Sequence, residues 1–209
     1  MTFTSRQDAG QRLGQYLRDK GVKADVVVGL PRGGVVVAAE AARVLGLPLD
    51  VLVVRKIGHP RNREFAVGAL AEAGVVMVDE DVVALSHVVR ADLDEVIAEE
   101  TERFRQYEAK FHGGGKPDFA GKSVVLADDG LATGSTMEAA VLSARKQGAR
   151  WIIVAVPVAS TSACVRLKRV ADEVIALVVD EDFDAVGRYY QIFYQTTDEE
   201  VLDLLKGNG

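Results

Sequence analysis

"VVLADDGLATGST", residues 124–136, decides the fold. Val124–Ala127 form an apolar run that stops abruptly at two adjacent carboxylates, Asp128 and Asp129. A run of that kind reads as a strand buried on both faces. The next residues are small or hydroxylic and include no Lys or Arg, and a helix then extends through Gly148. Between a strand and a helix N-terminus, the backbone presents unpaired N–H groups backed by the helix dipole, so a phosphate can be held without a cation. Gly130, Ala132 and Gly134 let the backbone approach, while Thr133, Ser135 and Thr136 offer hydroxyl donors. The dipole supplies only about 0.3–1 kcal/mol at an exposed site, so individual hydrogen bonds must carry the affinity. Two carboxylates facing a phosphate would repel it. They suit the hydroxyls of a sugar diol, because a carboxylate only accepts, and one of them can also touch a hydrated magnesium ion. A ribose 5-phosphate satisfies all of these demands.

Working outward, the chain alternates apolar strands with helical segments. Ser5 followed by Asp8 opens a helix that ends near Gly21. "DVVVGL" (25–30), "DVLVV" (50–54), "SVVLA" (123–127), "WIIVAVPV" (151–158) and "DEVIALVV" (172–179) read as strands. Helices fall at about 35–45, 90–111 and 161–170. This pattern predicts an α/β fold with a mainly parallel, twisted sheet flanked by helices. The basic stretch "RKIGHPRNREF" (55–65) reads as a loop, "AVGALA" and "GVVMVD" as an inserted hairpin, and "HGGGKPDFAGK" (112–122) as a linker. The whole chain, 1–209, is expected to form one domain with a core over about 22–180. In open α/β sheets the ligand lies beyond the C-terminal strand ends. Three conspicuous loops converge there: "LPRGG", "RKIGHPRNR" and "DDGLATGST".

Composition narrows the partners. The 31 acidic and 25 basic residues give a charge of −6, which disfavours a protein built to coat nucleic acid. Cys164 is the only cysteine, so neither an intrachain disulfide nor a cysteine zinc site can form. The longest apolar run, Trp151–Ala159, is far shorter than a bilayer span, and the N-terminus lacks the build of a signal peptide. The expectation is a cytoplasmic protein without membrane partners. "GKS" at 121–123 fails as a nucleotide-binding loop because it enters a strand and has Lys116 where glycine is required. "SARK" (143–146) lacks any partner motif, and three scattered histidines make no metal site.

All thirteen residues of the opening stretch fit the signature that it resembles, that of the type I phosphoribosyltransferases. The resemblance implies that Asp128 and Asp129 bind the ribose hydroxyls of phosphoribosyl pyrophosphate. It assigns Gly130, Leu131, Ala132, Thr133, Gly134, Ser135 and Thr136 to the 5-phosphate. "VVVGLPRGG" (26–34) is similar to the family's pyrophosphate loop, with Arg32, Gly33 and Gly34 at the anion. Residues 55–63 match the position of a flexible loop that closes over the site, with Arg55 and Lys56 as the main cations and Arg61 and Arg63 as lesser ones; His59 reads as incidental. Mg²⁺ is the implied cofactor, met by Asp128 and Asp129 directly or through water. The implied reaction passes a phosphoribosyl group to a nitrogenous, base-like acceptor and releases pyrophosphate. The alternative is a regulator that binds the same donor, or a nucleotide, without turnover. A hood from residues 1–21 and 180–209 would read the acceptor. There Phe183, Tyr189 and Tyr190 either stack on a ring or fill the core. Relatives using 6-oxopurines have an acid where this chain has Ala132, which turns the expectation away from hypoxanthine and guanine. The family also implies a homodimer.

Overall fold

A computed structural model describes residues 2–112 and 117–207; positions 113–116 of the expected linker lie outside the described residues. The chain opens with α1 (Arg6–Asp19), β1 (Val26–Gly29), α2 (Gly33–Leu45) and β2 (Leu49–Val51). Next come β3 (Val54–His59), β4 (Asn62–Ala71), β5 (Val75–Val78), α3 (Glu80–Leu85) and α4 (Arg90–Phe111). The second half holds β6 (Ser123–Ala127), α5 (Ser135–Lys146), β7 (Trp151–Ser160), α6 (Thr161–Leu167) and β8 (Glu173–Asp180). A 3₁₀ turn (Val186–Tyr189) and α7 (Asp198–Gly207) finish the chain.

Five strands form a parallel sheet in the order β2-β1-β6-β7-β8. Their β-branched sequences suit a surface covered on both sides, and the two faces alternate residue by residue. Val26, Val28, Val124, Leu126, Ile152 and Val154 pack on α5 residues Met137, Ala140, Val141 and Ala144. Val27, Val125, Ala127, Ile153 and Ala155 pack on Leu13 and Leu17 of α1 and Val37, Ala38 and Ala41 of α2. β1 and β6 run side by side in register, with Val28 opposite Leu126 and Gly29 opposite Ala127. That register brings two loops distant in sequence to the same sheet edge.

The expected hairpin exists: β4 pairs antiparallel with β5, with Ala69 opposite Met77. It belongs, however, to a separate three-stranded sheet, β3-β4-β5. Two readings of the sequence are corrected here. "DVLVV" is not one strand, because the chain leaves the parallel sheet after Val51. Leu52 N–H still reaches Gly29 O at 3.2 Å, but Val53 N–H turns to the buried Glu72 carboxylate at 2.5 Å. Nor is 55–65 a loop. It is strand, turn and strand, with Arg55 opposite Leu70 and Ile57 opposite Gly68, and with His59 Nδ1 accepting the Arg61 N–H at 3.0 Å across the turn. The charges and glycines conceal one buried residue, Ile57, that anchors the ribbon among Val67, Leu70 and α4.

α4 has the predicted bounds, and it buries Leu93, Val96, Phe104 and Phe111 at helical spacing. The two terminal segments meet, as a hood requires. Phe3 N–H donates to Tyr189 O at 2.7 Å, and the Phe3 and Tyr190 rings lie 5.6 Å apart. α7 departs from that cluster, with Val201 packing in the α4 core.

Candidate active site

The acid pair and the "PRGG" turn face each other across the β1–β6 boundary. Asp128 Oδ1 accepts the Asp129 N–H at 2.8 Å, and its second oxygen has no hydrogen-bond partner among the described residues. A Cβ on Gly34 would lie 2.7 Å from Asp128 Oδ1 and 2.9 Å from Ala127 O, so only glycine fits there. Gly33 abuts the Asp129 carboxylate in the same way. Leu30 N–H donates to Ala127 O at 3.1 Å, tying the two loops at their base.

Asp129 has a partner that the sequence did not disclose. Arg6, at the start of α1, donates from Nε to Asp129 Oδ2 at 2.7 Å and from Nη1 to Tyr194 O at 2.7 Å. Its guanidinium lies 3.9 Å from the Phe193 ring centroid, a cation–π contact. Tyr190 donates its hydroxyl to Asp129 O at 2.6 Å and is buried. Tyr190 is therefore support for the acid loop and not a platform for a flat ring. Burial and then the Asp129 charge push the Asp128 carboxyl well above the usual carboxylate range. Burial raises Asp129 too, and the Arg6 hydrogen bond and charge pull it back.

Beyond the acids the loop wraps a recess of about 180 Å³ lined by Asp128, Gly130, Ala132, Thr133, Gly134 and Thr136, together with Val186 of the C-terminal segment. Gly134, at φ 76°, is the left-handed N-cap of α5, a conformation that favours glycine and aims the first helix amides inward. Leu131 differs from its neighbours. Its side chain is buried and its backbone is pinned to β7, with its N–H on Val158 O at 3.0 Å and its carbonyl accepting Ser160 N–H at 2.9 Å. Its part is to anchor the loop. Ser160 adds a hydrogen bond from Oγ to Ala132 O at 2.5 Å.

The predicted cations gather in a second recess of about 330 Å³, lined by Pro31, Arg32, Arg55, Lys56, Arg63, Glu100 and Tyr107. Each cation there has an acid beside it. Arg55 forks onto Glu100 of α4 at 2.9 and 2.8 Å, and its guanidinium sits 5.3 Å from the Tyr107 centroid. Burial would raise the Glu100 carboxyl, but Arg55 and Arg103 together hold it below its usual range. Arg63 meets Glu99 at 3.0 Å, Lys56 lies 3.8 Å from Glu64, and Arg32 lies 3.8 Å from Asp198 of α7. Arg61, at the turn, does not line this recess. Phe183 and Tyr189 stack on each other with centroids 5.4 Å apart, and Tyr189 donates to Asp180 at 2.5 Å, which pushes its hydroxyl up to about 12.

Arg6, Ser160, Glu100 and Asp198 escaped the sequence reading because each acts from an element distant in sequence; Arg6 and Asp129 are 123 residues apart. The one available signal was Glu100, a carboxylate on the apolar side of α4.

The comparisons agree with this geometry. Residues 5–191 match the "Phosphoribosyl transferase domain". Proteins in two strains of Mycobacterium tuberculosis, provisionally named phosphoribosyl transferases, are 43% identical over 204 residues. That match covers 97% of this chain and 46% of theirs, so the chain spans about half the length of these relatives. The crystal structure of TT1426 from Thermus thermophilus is 45% identical, with a TM-score of 0.81 over 100% of this chain and 99% of that one. The purine phosphoribosyltransferase of Pyrococcus horikoshii is similar in fold, at 20% identity and a TM-score of 0.50 over 90% and 89% of the two chains. The chain belongs to the phosphoribosyltransferase family, with the type I architecture. No helix among the described residues is long and apolar enough to cross a membrane.

Proposed function

We propose that this chain transfers the 5-phosphoribosyl group of phosphoribosyl pyrophosphate to a nitrogenous acceptor and releases pyrophosphate. The observation that carries this reading is the apposition of Asp128 and Asp129 with Gly33 and Gly34 at the edge of β1 and β6, between a small-residue recess and a cationic one. The 5-phosphate takes the amides and hydroxyls of Gly130 and of residues 132–136, with Leu131 anchoring the loop, the ribose diol takes the acids, and pyrophosphate takes Arg32, Arg55 and Lys56. A transition state with positive charge on the sugar needs positioning and leaving-group stabilisation more than a nucleophile.

The donor set fits Mg²⁺. Asp128 offers an unpartnered carboxylate oxygen beside a second carboxylate, and no cluster of three or more His, Cys, Asp or Glu among the described residues could hold the ion alone. The substrate's own oxygens must complete the shell, with Asp128 and Asp129 reached directly or through water. When bound, the ion neutralises the departing pyrophosphate.

The single-domain reading rests on shared cores that draw on both halves of the chain. The homodimer rests on β8, an unpaired sheet edge next to exposed Val165, Val179 and Tyr16. The cytoplasmic placement rests on a lone, buried and free Cys164. The acceptor is a nitrogenous, base-like group other than a 6-oxopurine, on the strength of Ala132.

The test mixes the purified chain with phosphoribosyl pyrophosphate, Mg²⁺ and a panel of bases, and measures pyrophosphate. Release that needs both an acceptor and Asp128, and is lost in Asp128→Asn, is the expected result. Donor binding without release by any acceptor would favour a sensor, and calorimetry showing no donor binding would overturn both.

A further inference from the structure

The phosphate loop carries no cation in sequence, yet a guanidinium stands behind it. Arg166 of α6 reaches three residues at once, two on α5 and one beyond β5. Its Nε donates to Glu138 of α5 at 2.6 Å, its Nη2 to Asp79 at the end of β5 at 2.7 Å, and its Nη1 to Ser135 Oγ at 3.0 Å. Two carboxylates around one guanidinium leave the cluster with a charge of about −1, so Arg166 does not serve as the counter-ion of a bound phosphate. Its effect runs through the serine. A guanidinium only donates, so Ser135 Oγ must accept from it, and the serine's own hydrogen has to go elsewhere. Without a ligand it can go to Thr133 Oγ1 at 3.1 Å; with a ligand, a phosphate oxygen can take it.

Building on the phosphoribosyl reading above, we infer that Arg166 is a positioning residue for the 5-phosphate, one that holds Ser135 as an acceptor and so commits its hydroxyl hydrogen to the anion. Asp79 and Glu138 hold the fork in place, and Asp79 is also the cap of α3, where its side chain accepts the Val82 N–H at 3.1 Å. The end of the hairpin sheet is thereby fastened to the phosphate loop. Specificity for a phosphorylated sugar thus depends on a residue outside the signature.

The experiment is calorimetric titration with ribose 5-phosphate and, separately, with magnesium pyrophosphate. It compares the native chain with Arg166→Met, Ser135→Ala, the double variant and Arg166→Lys. Arg166→Met should weaken ribose 5-phosphate about tenfold, the scale of one hydrogen bond to a charged group, and change pyrophosphate affinity less than about twofold. Ser135→Ala should cost the same, and the double variant no more than either single change, because both remove one interaction. Arg166→Lys, lacking the fork, should recover only part of the loss. Equal weakening of both ligands, additive losses in the double variant, or an unchanged Arg166→Met would overturn the assignment. If Arg166→Met does not fold, Glu138→Gln keeps the guanidinium but frees one prong, and it should weaken ribose 5-phosphate alone; no effect there is a refutation. A native chain that binds neither ligand would instead sink the phosphoribosyl reading itself.

Discussion

The two recesses differ in how they are built. The small-residue recess is almost one continuous segment, residues 128–136, folded between a strand and a helix. The cationic recess draws on the β1–α2 turn, both strands of a ribbon and α4, with α7 supplying the acid beside Arg32. The first is held mainly by backbone geometry, through the left-handed Gly134 and the pinned Leu131. The second is held by side-chain charge pairs. The comparison teaches that a recess lined by backbone is encoded locally, whereas one lined by cations needs distant acids to hold the cations in place.

The largest expected effect comes where the two designs touch. Arg6→Met leaves Asp129 poorly exposed beside Asp128 with no counter-charge, and should cost about 3–5 kcal/mol in chemical denaturation, the range for breaking a buried pair. A loss below about 1 kcal/mol would show that the acid loop stands without the hood. Gly34→Ala comes next. The added methyl meets Asp128 and a backbone carbonyl, so stability should fall by about 1–3 kcal/mol and donor binding should be lost with it. Wild-type donor affinity in that variant would break the proposed apposition of the two loops.

A pH experiment separates the ribbon from the loop. His112 Nε2 lies 2.7 Å from Glu72 Oε1, both side chains being buried. Burial alone would lower the imidazole, but the Glu72 hydrogen bond and charge outweigh it and the His112 pKa is raised. Raised in the folded state, it contributes stability that is complete below the unfolded value of about 6.5 and fades as pH rises through the higher folded value. Melting temperature should therefore decline across that window, and His112→Gln should flatten the decline. A native profile that instead rises across the window would reverse the argument. Smallest of all is Arg61→Ala at the ribbon turn, which should stay within about 0.5 kcal/mol in melting and leave pyrophosphate affinity unchanged.

These contrasts explain what could be read in advance. The parallel core was legible because Val26–Gly29, Ser123–Ala127 and Trp151–Ser160 are apolar on both faces, which few other settings tolerate. The acid pair and its loop were legible for the same local reason. The 55–65 part of the β3–β4 ribbon was hidden because its outward residues are charged and Ile57 is its one buried side chain besides glycine. Arg6 and Arg166 were invisible because an arginine near the start of a helix or on a short one carries no local sign of the carboxylate it will find. Nothing in the sequence of α7 announced that Asp198 would stand beside Arg32.

The parallel pairing of β1 with β6 has one last implication. A fragment beginning at Ser123 would carry the full thirteen-residue signature, yet it would lack the glycine wall opposite Asp128 and the arginine opposite Asp129. Such a fragment should be blind to the sugar. On the proposed reading, recognition is a property of two neighbouring strands, and the thirteen-residue stretch is only one jaw of the clamp.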